Sequence, residues 1–172
     1  MTLTKSKYYF EAVDNYPYYL ADCLEALNYA LAYDPQDADS LCLMGRIYSE
    51  ILKDYETAKA YFEEALQNNI SSISIPQYYI SCLLNNEDYE QAEKLIEFAL
   101  KLKGIDRSDI LVSKALLFER QRAFKKALKQ LKEVKKISLS KNMTDRISEK
   151  EKFIRSKMPK NKNKKKKKKG TK

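Results

Sequence analysis

The sequence writes one amphipathic helix pattern three times, in stretches that begin at residues 53, 87 and 122. In every copy the third position is aromatic and the sixth is alanine; the aromatic residues are Tyr55, Tyr89 and Phe124. The starting points are 34 and 35 residues apart. A period of about 20–50 residues indicates an array whose units each stack only on their neighbours. The spacing therefore predicts a solenoid, because no single unit buries its apolar stripe alone.

The stretch 38–70 carries the fullest version of the pattern. Leu41, the pair Met44-Gly45 and Tyr48 lie in its first half, and its second half has Ala58 followed four positions later by Phe62. This resembles the tetratricopeptide repeat, a helix–turn–helix unit of about 34 residues with the signature W-x2-L-G-x2-Y and then A-x3-F. The interval between Tyr48 and Ala58 is one residue longer than in that pattern. We expect the extra residue in the turn near Leu52-Lys53.

The neighbouring stretches repeat the pattern less completely. The resemblance implies an all-α fold, an α-solenoid of about four stacked tetratricopeptide-like helical hairpins. We expect its units at about 5–35, 38–70, 72–104 and 107–138, followed by a capping helix at 142–158 and a disordered lysine-rich tail at 159–172.

Small residues mark where the two helices of a hairpin should approach each other. We expect Gly45 and Ala115 on first helices to meet Ala58 and Ala127 on second helices, with larger residues such as Phe62 filling the space between units.

Composition argues against an enzyme. The chain has no histidine and three cysteines without a CxxC pair, so the usual zinc sites and histidine-based nucleophile pairs are excluded. It has three glycines and no phosphate-binding glycine-rich loop. We predict a non-enzymatic protein with no cofactor and no metal site. The N-terminal residues lack an apolar leader segment and no run is long enough to span a membrane, so we expect a cytoplasmic protein.

Charge divides the chain into three parts. The formal net charge is +9, but residues 1–97 have 17 acids and 6 bases, and residues 98–159 have 7 acids and 18 bases. Nine lysines lie in the tail without an acid: Lys160, Lys162, Lys164, Lys165, Lys166, Lys167, Lys168, Lys169 and Lys172. Such a run attracts RNA, DNA, ribosomes or anionic surfaces without sequence preference. In a nucleated cell it also matches a nuclear localisation signal.

The resemblance implies a concave groove lined by the first helix of each hairpin, which binds a peptide or a protein. The family pattern places the following residues in it: Asp39, Cys42, Arg46, Ser49, Glu50, Ser74, Gln77, Ser81, Leu84, Asn85, Asp109, Val112, Leu116, Glu119 and Arg120, with Tyr9, Val13 and Tyr16 from the first unit. A lone Arg46 does not supply the several basic residues that hold a chaperone's acidic C-terminal tail, so that partner is not expected. Two functions remain open: a protein-interaction module that uses the groove, and a polyanion-binding factor driven by the lysine tail.

Overall fold

The computed structural model describes residues 5–138 and 140–159. Within these ranges the chain forms nine α-helices and no strand. Their bounds are α1 Lys7–Asn15, α2 Leu20–Tyr33, α3 Ala38–Arg46, α4 Tyr55–Asn68, α5 Ile75–Asn85, α6 Tyr89–Ala99, α7 Arg107–Arg120, α8 Phe124–Ile137 and α9 Lys141–Lys157. The lysine-rich segment 160–172 lies outside the described residues, so its predicted disorder stays a prediction.

Consecutive helices pair as hairpins, and each hairpin packs on the next. Helix α1 pairs with α2, α3 with α4, α5 with α6, and α7 with α8, while α9 packs on α8. Buried apolar side chains follow this order along the array, in clusters around Leu27, Phe62 and Leu131. The prediction of an all-α stack of helical hairpins is therefore confirmed. Among the described residues, no helix combines the length and the apolar character needed to cross a membrane.

Local sequence signals set several helix ends. The carboxylates of Asp37 and Asp106 accept backbone N–H groups at the starts of α3 and α7, which satisfies donors that a first turn leaves free. Pro76 lies in the first turn of α5, where a missing N–H costs nothing. Gly104, with φ of +89°, adopts the left-handed conformation in the loop that precedes α7.

The extra residue of the second hairpin is not in the turn where we expected it. It is accommodated in a π-helix, Ile47–Leu52, which continues α3 with one residue more per turn before Lys53 reverses the chain in the left-handed region. The widened turn keeps Ile47 and Ser49 buried. The insertion therefore changes the last turn of the first helix and leaves the hairpin closed.

The small residue Gly45 also has a different main neighbour from the one predicted. A β-carbon built at Gly45 would lie 2.9 Å from two ring atoms of Phe62. Phe62 is fully buried, and its ring stacks on that of Tyr79 from the next hairpin at a centroid distance of 5.5 Å. Gly45 thus leaves room for an aromatic ring that joins two hairpins, beyond the predicted approach to Ala58.

Candidate functional site

Three first helices enclose a small pocket on one side of the array. Helix α1 contributes Tyr9 and Val13, with Tyr16 directly after it. Helix α3 contributes Asp39, Cys42, Leu43 and Arg46, and helix α5 contributes Tyr78, with Ser74 directly before it. The pocket has a volume of about 210 Å³. Since three hairpins supply its walls, the pocket exists only when these hairpins are stacked.

Arg46 lines this pocket and contacts residues of both neighbouring hairpins. Its guanidinium carbon is 4.5 Å from the ring centroid of Tyr16 and 4.1 Å from that of Tyr78, so a cation from the second hairpin is held between aromatic rings of the first and third. Its Nε donates a hydrogen bond to Glu50 Oε1 at 3.1 Å. The Tyr16 hydroxyl donates to the other oxygen of Glu50 at 2.5 Å.

These contacts fix the charge states in the pocket. Burial, followed by the hydrogen bond to Glu50, raises the pKa of Tyr16 to about 12, so its hydroxyl keeps its proton and donates. Although burial alone would lower the pKa of Arg46, its hydrogen bond and charge interaction with Glu50 raise it. The guanidinium therefore stays charged. A guanidinium has five N–H donors, so Arg46 has donors beyond the one that Glu50 accepts.

Two further polar side chains line the pocket, the Asp39 carboxylate and the Cys42 thiol. Lys5 forms an ion pair with Asp39, and its ammonium lies 4.1 Å from the ring centroid of Tyr9. The Cys42 side chain is buried, and this burial raises the pKa of its thiol to about 12. A thiol with that pKa is protonated at neutral pH and is a poor nucleophile. The pocket is thus built for contact and hydrogen bonding.

Comparison with known families identifies the second hairpin, which contributes α3 to this pocket. Residues 38–69, which include α3 and α4, match the family model of the tetratricopeptide repeat. Proteins with this repeat are typically non-enzymatic scaffolds whose partners are proteins, so the matched unit suggests a protein–protein interaction module. A search of curated protein sequences found no match.

The first half of the groove residues taken from the tetratricopeptide pattern gathers around the pocket. Asp39, Cys42, Arg46 and Ser74 line it. Glu50, in the π-helix that follows α3, accepts a hydrogen bond from Arg46. Tyr9, Val13 and Tyr16 of the first unit, which the pattern also placed in the groove, line it as well. Two other predicted residues, Ser49 and Leu84, are buried in the stack and present no side chain to a ligand.

The second half of the predicted set lies farther along the array. Asn85 accepts a hydrogen bond from Arg120 at 3.2 Å, which connects α5 to α7. Glu119 is buried and pairs with Lys157 of α9 at 2.7 Å, so the last helix covers it. The others range from half-buried to exposed: Gln77, Ser81, Asp109, Val112 and Leu116.

Tyr78 is the important pocket residue that the family pattern did not supply. It lies one helical turn after Ser74, which the pattern did place in the groove, so the i, i+4 relation contained the signal. Adjacent Tyr79 is buried and donates to Glu63 at 2.8 Å. The two neighbouring tyrosines thus serve different faces of α5: one lines the pocket and the other belongs to the core.

Proposed function

We propose that the groove formed by α1, α3 and α5 binds a peptide or a segment of a partner protein, with the pocket around Arg46 as its anchor point. The observation that carries this proposal is the position of Arg46 between Tyr16 and Tyr78, which brings three hairpins together at one charged, aromatic site. Curved arrays of this type use the surface of their first helices to hold extended partners.

The size of the pocket favours a side chain over a whole small molecule. Sites for drug-sized ligands usually enclose about 300–1,000 Å³. The pocket around Arg46 has a volume of about 210 Å³. We therefore expect one side chain of the partner to enter it, while the chain on either side of that residue lies along the first helices.

The residues that line the pocket indicate which type of partner side chain fits it. Tyr9, Tyr16 and Tyr78 provide aromatic faces for apolar contact, and Arg46 provides N–H donors for a carbonyl or carboxylate oxygen. A residue with an apolar body and an oxygen acceptor at its end satisfies both. Tyrosine and arginine are also the residue types most often found at the energetic centre of protein interfaces.

A peptide-display selection on the full chain, followed by measured affinities, tests the proposal. Peptides recovered with the purified chain are synthesised, and their binding is measured by fluorescence anisotropy. We expect Arg46→Gln to weaken binding by about 1–3 kcal/mol, roughly a five- to 150-fold loss, because it removes a charged donor from the centre of the contact.

Arg107→Gln is the matched control, since Arg107 is an exposed arginine on α7, another first helix of the same array, and is not among the predicted groove residues. Binding should change little in that variant. Peptides that bind Arg46→Gln and Tyr78→Ala variants as well as the natural chain would show that the pocket is not the anchor.

A second candidate function, polyanion binding, is favoured by the surface of α8. Four lysines, Lys125, Lys129, Lys132 and Lys136, are exposed and recur at helical spacing along this helix. They form a cationic stripe on the described part of the chain, in addition to the lysines of segment 160–172. Such a stripe can follow a phosphate backbone without reading its sequence.

Salt dependence distinguishes this candidate from groove binding. If the stripe binds single-stranded RNA, replacing two of its lysines by glutamine should reduce the slope of log K against log salt by about 0.7 for each phosphate that is no longer neutralised. Arg46→Gln should leave the slope unchanged. Absence of RNA binding at low salt would reject the candidate.

A further inference from the structure

The turns that join the two helices of each hairpin form one edge of the array, which we call the turn edge. It comprises residues 16–19, 53–54, 86–88 and 121–123, with their flanking positions. Contacts run from each turn to the next: Tyr16 to Glu50 at 2.5 Å, Asn86 to Glu56 at 2.9 Å, and Arg120 to Asn85 at 3.2 Å. The edge is therefore a continuous surface.

Charge changes sign along this edge. The stretches 14–22, 50–56 and 86–90 flank the first three turns and contain eight acids and one base, Lys53; a base just outside them, Lys59, pairs with Glu56 and Asp88. The stretch 119–126 at the fourth turn contains one acid and four bases. Among the acids, Asp14, Asp22, Asp54, Glu56, Glu87 and Glu90 are exposed. Three of four turns thus present carboxylates to solvent, and the fourth presents cations.

Helix α9 ends next to this edge. Lys157, its last residue, donates to Glu119 at 2.7 Å, and Glu119 is on the last turn of α7, beside the fourth turn. The lysine-rich segment begins three residues later, at Lys160. The chain therefore leaves its last helix at the basic end of the turn edge, with the acidic third turn one hairpin away.

Distance allows the segment to reach the acidic turns. Helices α5 and α7 are in contact, and packed helices lie about 8–10 Å apart. An extended chain covers about 3.3–3.6 Å per residue, so 13 residues reach roughly 45 Å. The segment 160–172 is more than long enough to run from the fourth turn across the third and second.

We propose that the lysine segment 160–172 binds in the same molecule to the turn edge, across the carboxylates of the third and second turns. Nine lysines and no acid make the segment the electrostatic complement of that surface. The tether to α9 favours this contact over one with a second molecule, because a short linker gives a millimolar effective concentration. The bound segment is then withheld from other polyanions.

Zero-length cross-linking of the full chain tests this contact. A carbodiimide joins a lysine amine to a carboxylate only when the two touch, and mass spectrometry identifies the pairs. Mixing ¹⁴N- and ¹⁵N-labelled chains separates links within one molecule from links between molecules. We expect links from the segment to Glu56, Glu87 and Glu90 within one molecule, and their loss near 1 M salt, where the Debye length is about 3 Å.

The opposite edge of the fourth hairpin provides the internal control. Asp106 and Asp109 are exposed there, close to the start of α9. A triple variant, Glu56→Gln, Glu87→Gln and Glu90→Gln, should lose the links from the segment to the third turn, including those to Asp88. A variant with three exposed acids neutralised elsewhere, Glu64→Gln, Asp109→Asn and Glu149→Gln, should retain them. Circular dichroism establishes that both variants remain folded.

Three results would overturn the proposal. One is equal cross-linking to Asp106 and Asp109, which would indicate contact without preference. Another is linking found only between differently labelled chains, which would assign the segment to a second copy. The third is links to Asp88 that persist unchanged in the turn-edge triple variant.

Discussion

Replacing Gly45 by alanine is expected to destabilise the protein, although alanine is the better helix former. In an open helix the change would stabilise by about 1 kcal/mol. At Gly45 the added β-carbon would lie 2.9 Å from Cδ1 and Cε1 of Phe62. Carbon atoms in good contact are about 3.5–4.0 Å apart, so the ring has to retreat by about 0.6–1 Å.

Phe62 has little freedom to make that movement. Its side chain is fully buried, its ring stacks on Tyr79, and the Tyr79 hydroxyl is held by Glu63 at 2.8 Å. Overpacking in such a place costs about 1–3 kcal/mol. After the gain in helix propensity, we expect Gly45→Ala to lower the free energy of unfolding by up to about 2 kcal/mol.

Urea unfolding followed by circular dichroism measures the effect, and a double-mutant cycle identifies its cause. Phe62→Leu removes the ring, so Gly45→Ala should become neutral or stabilising in that background, with a coupling of about 1–3 kcal/mol. The difference between Asn28→Ala and Asn28→Gly, at an exposed position of α2, reports the gain in helix propensity without packing. If Gly45→Ala stabilises the natural chain by about 1 kcal/mol, the close approach of Gly45 and Phe62 is refuted.

Three further changes test other parts of the structure. Lys157→Met leaves the buried Glu119 carboxylate without its partner and should cost about 1 kcal/mol in urea unfolding, whereas Lys152→Met on the exposed side of α9 should cost little. The Cys42 thiol, with its pKa raised to about 12 by burial, should react with iodoacetamide roughly a thousandfold more slowly in the native chain than in urea, as followed by peptide mapping; equal rates would contradict its burial. A hydrogen bond from Lys59 lowers the pKa of Asp88, so this carboxylate stabilises the fold above its unfolded pKa near 3.8 and loses that effect as the pH falls through the lower folded value. Asp88→Asn should therefore reduce the fall in melting temperature below about pH 4. An unchanged fall would argue against the interaction.

The sequence predicts the stack because its signals are periodic and local. The step of 34 and 35 residues recurs from one hairpin to the next, and the aspartates before α3 and α7 and Pro76 in a first turn each act within one hairpin. The position of the extra residue before Ala58 was not predictable in this way, because either a longer turn or a widened helical turn accommodates one additional residue. Burial of Ile47 and Ser49 by neighbouring helices accompanies the π-helix, and such packing is not visible in the local sequence.

The candidate site was only partly predictable for a related reason. The family pattern places Asp39, Cys42 and Arg46 on one face of α3, and this follows from helical spacing alone. It does not show that Arg46 lies between Tyr16 and Tyr78, because those rings come from hairpins whose rotation depends on every intervening contact. Leu84 and Glu119 illustrate the converse, since neighbouring helices bury positions that the pattern assigned to the groove.

The most direct test of the proposed groove is an NMR titration of the ¹⁵N-labelled full chain with a peptide selected on it. If α1, α3 and α5 form the binding surface, the largest shifts should fall on Tyr9, Arg46 and Tyr78 and their neighbours. Shifts confined to the lysine stripe of α8, or to the outer faces of α4 and α6, would contradict it.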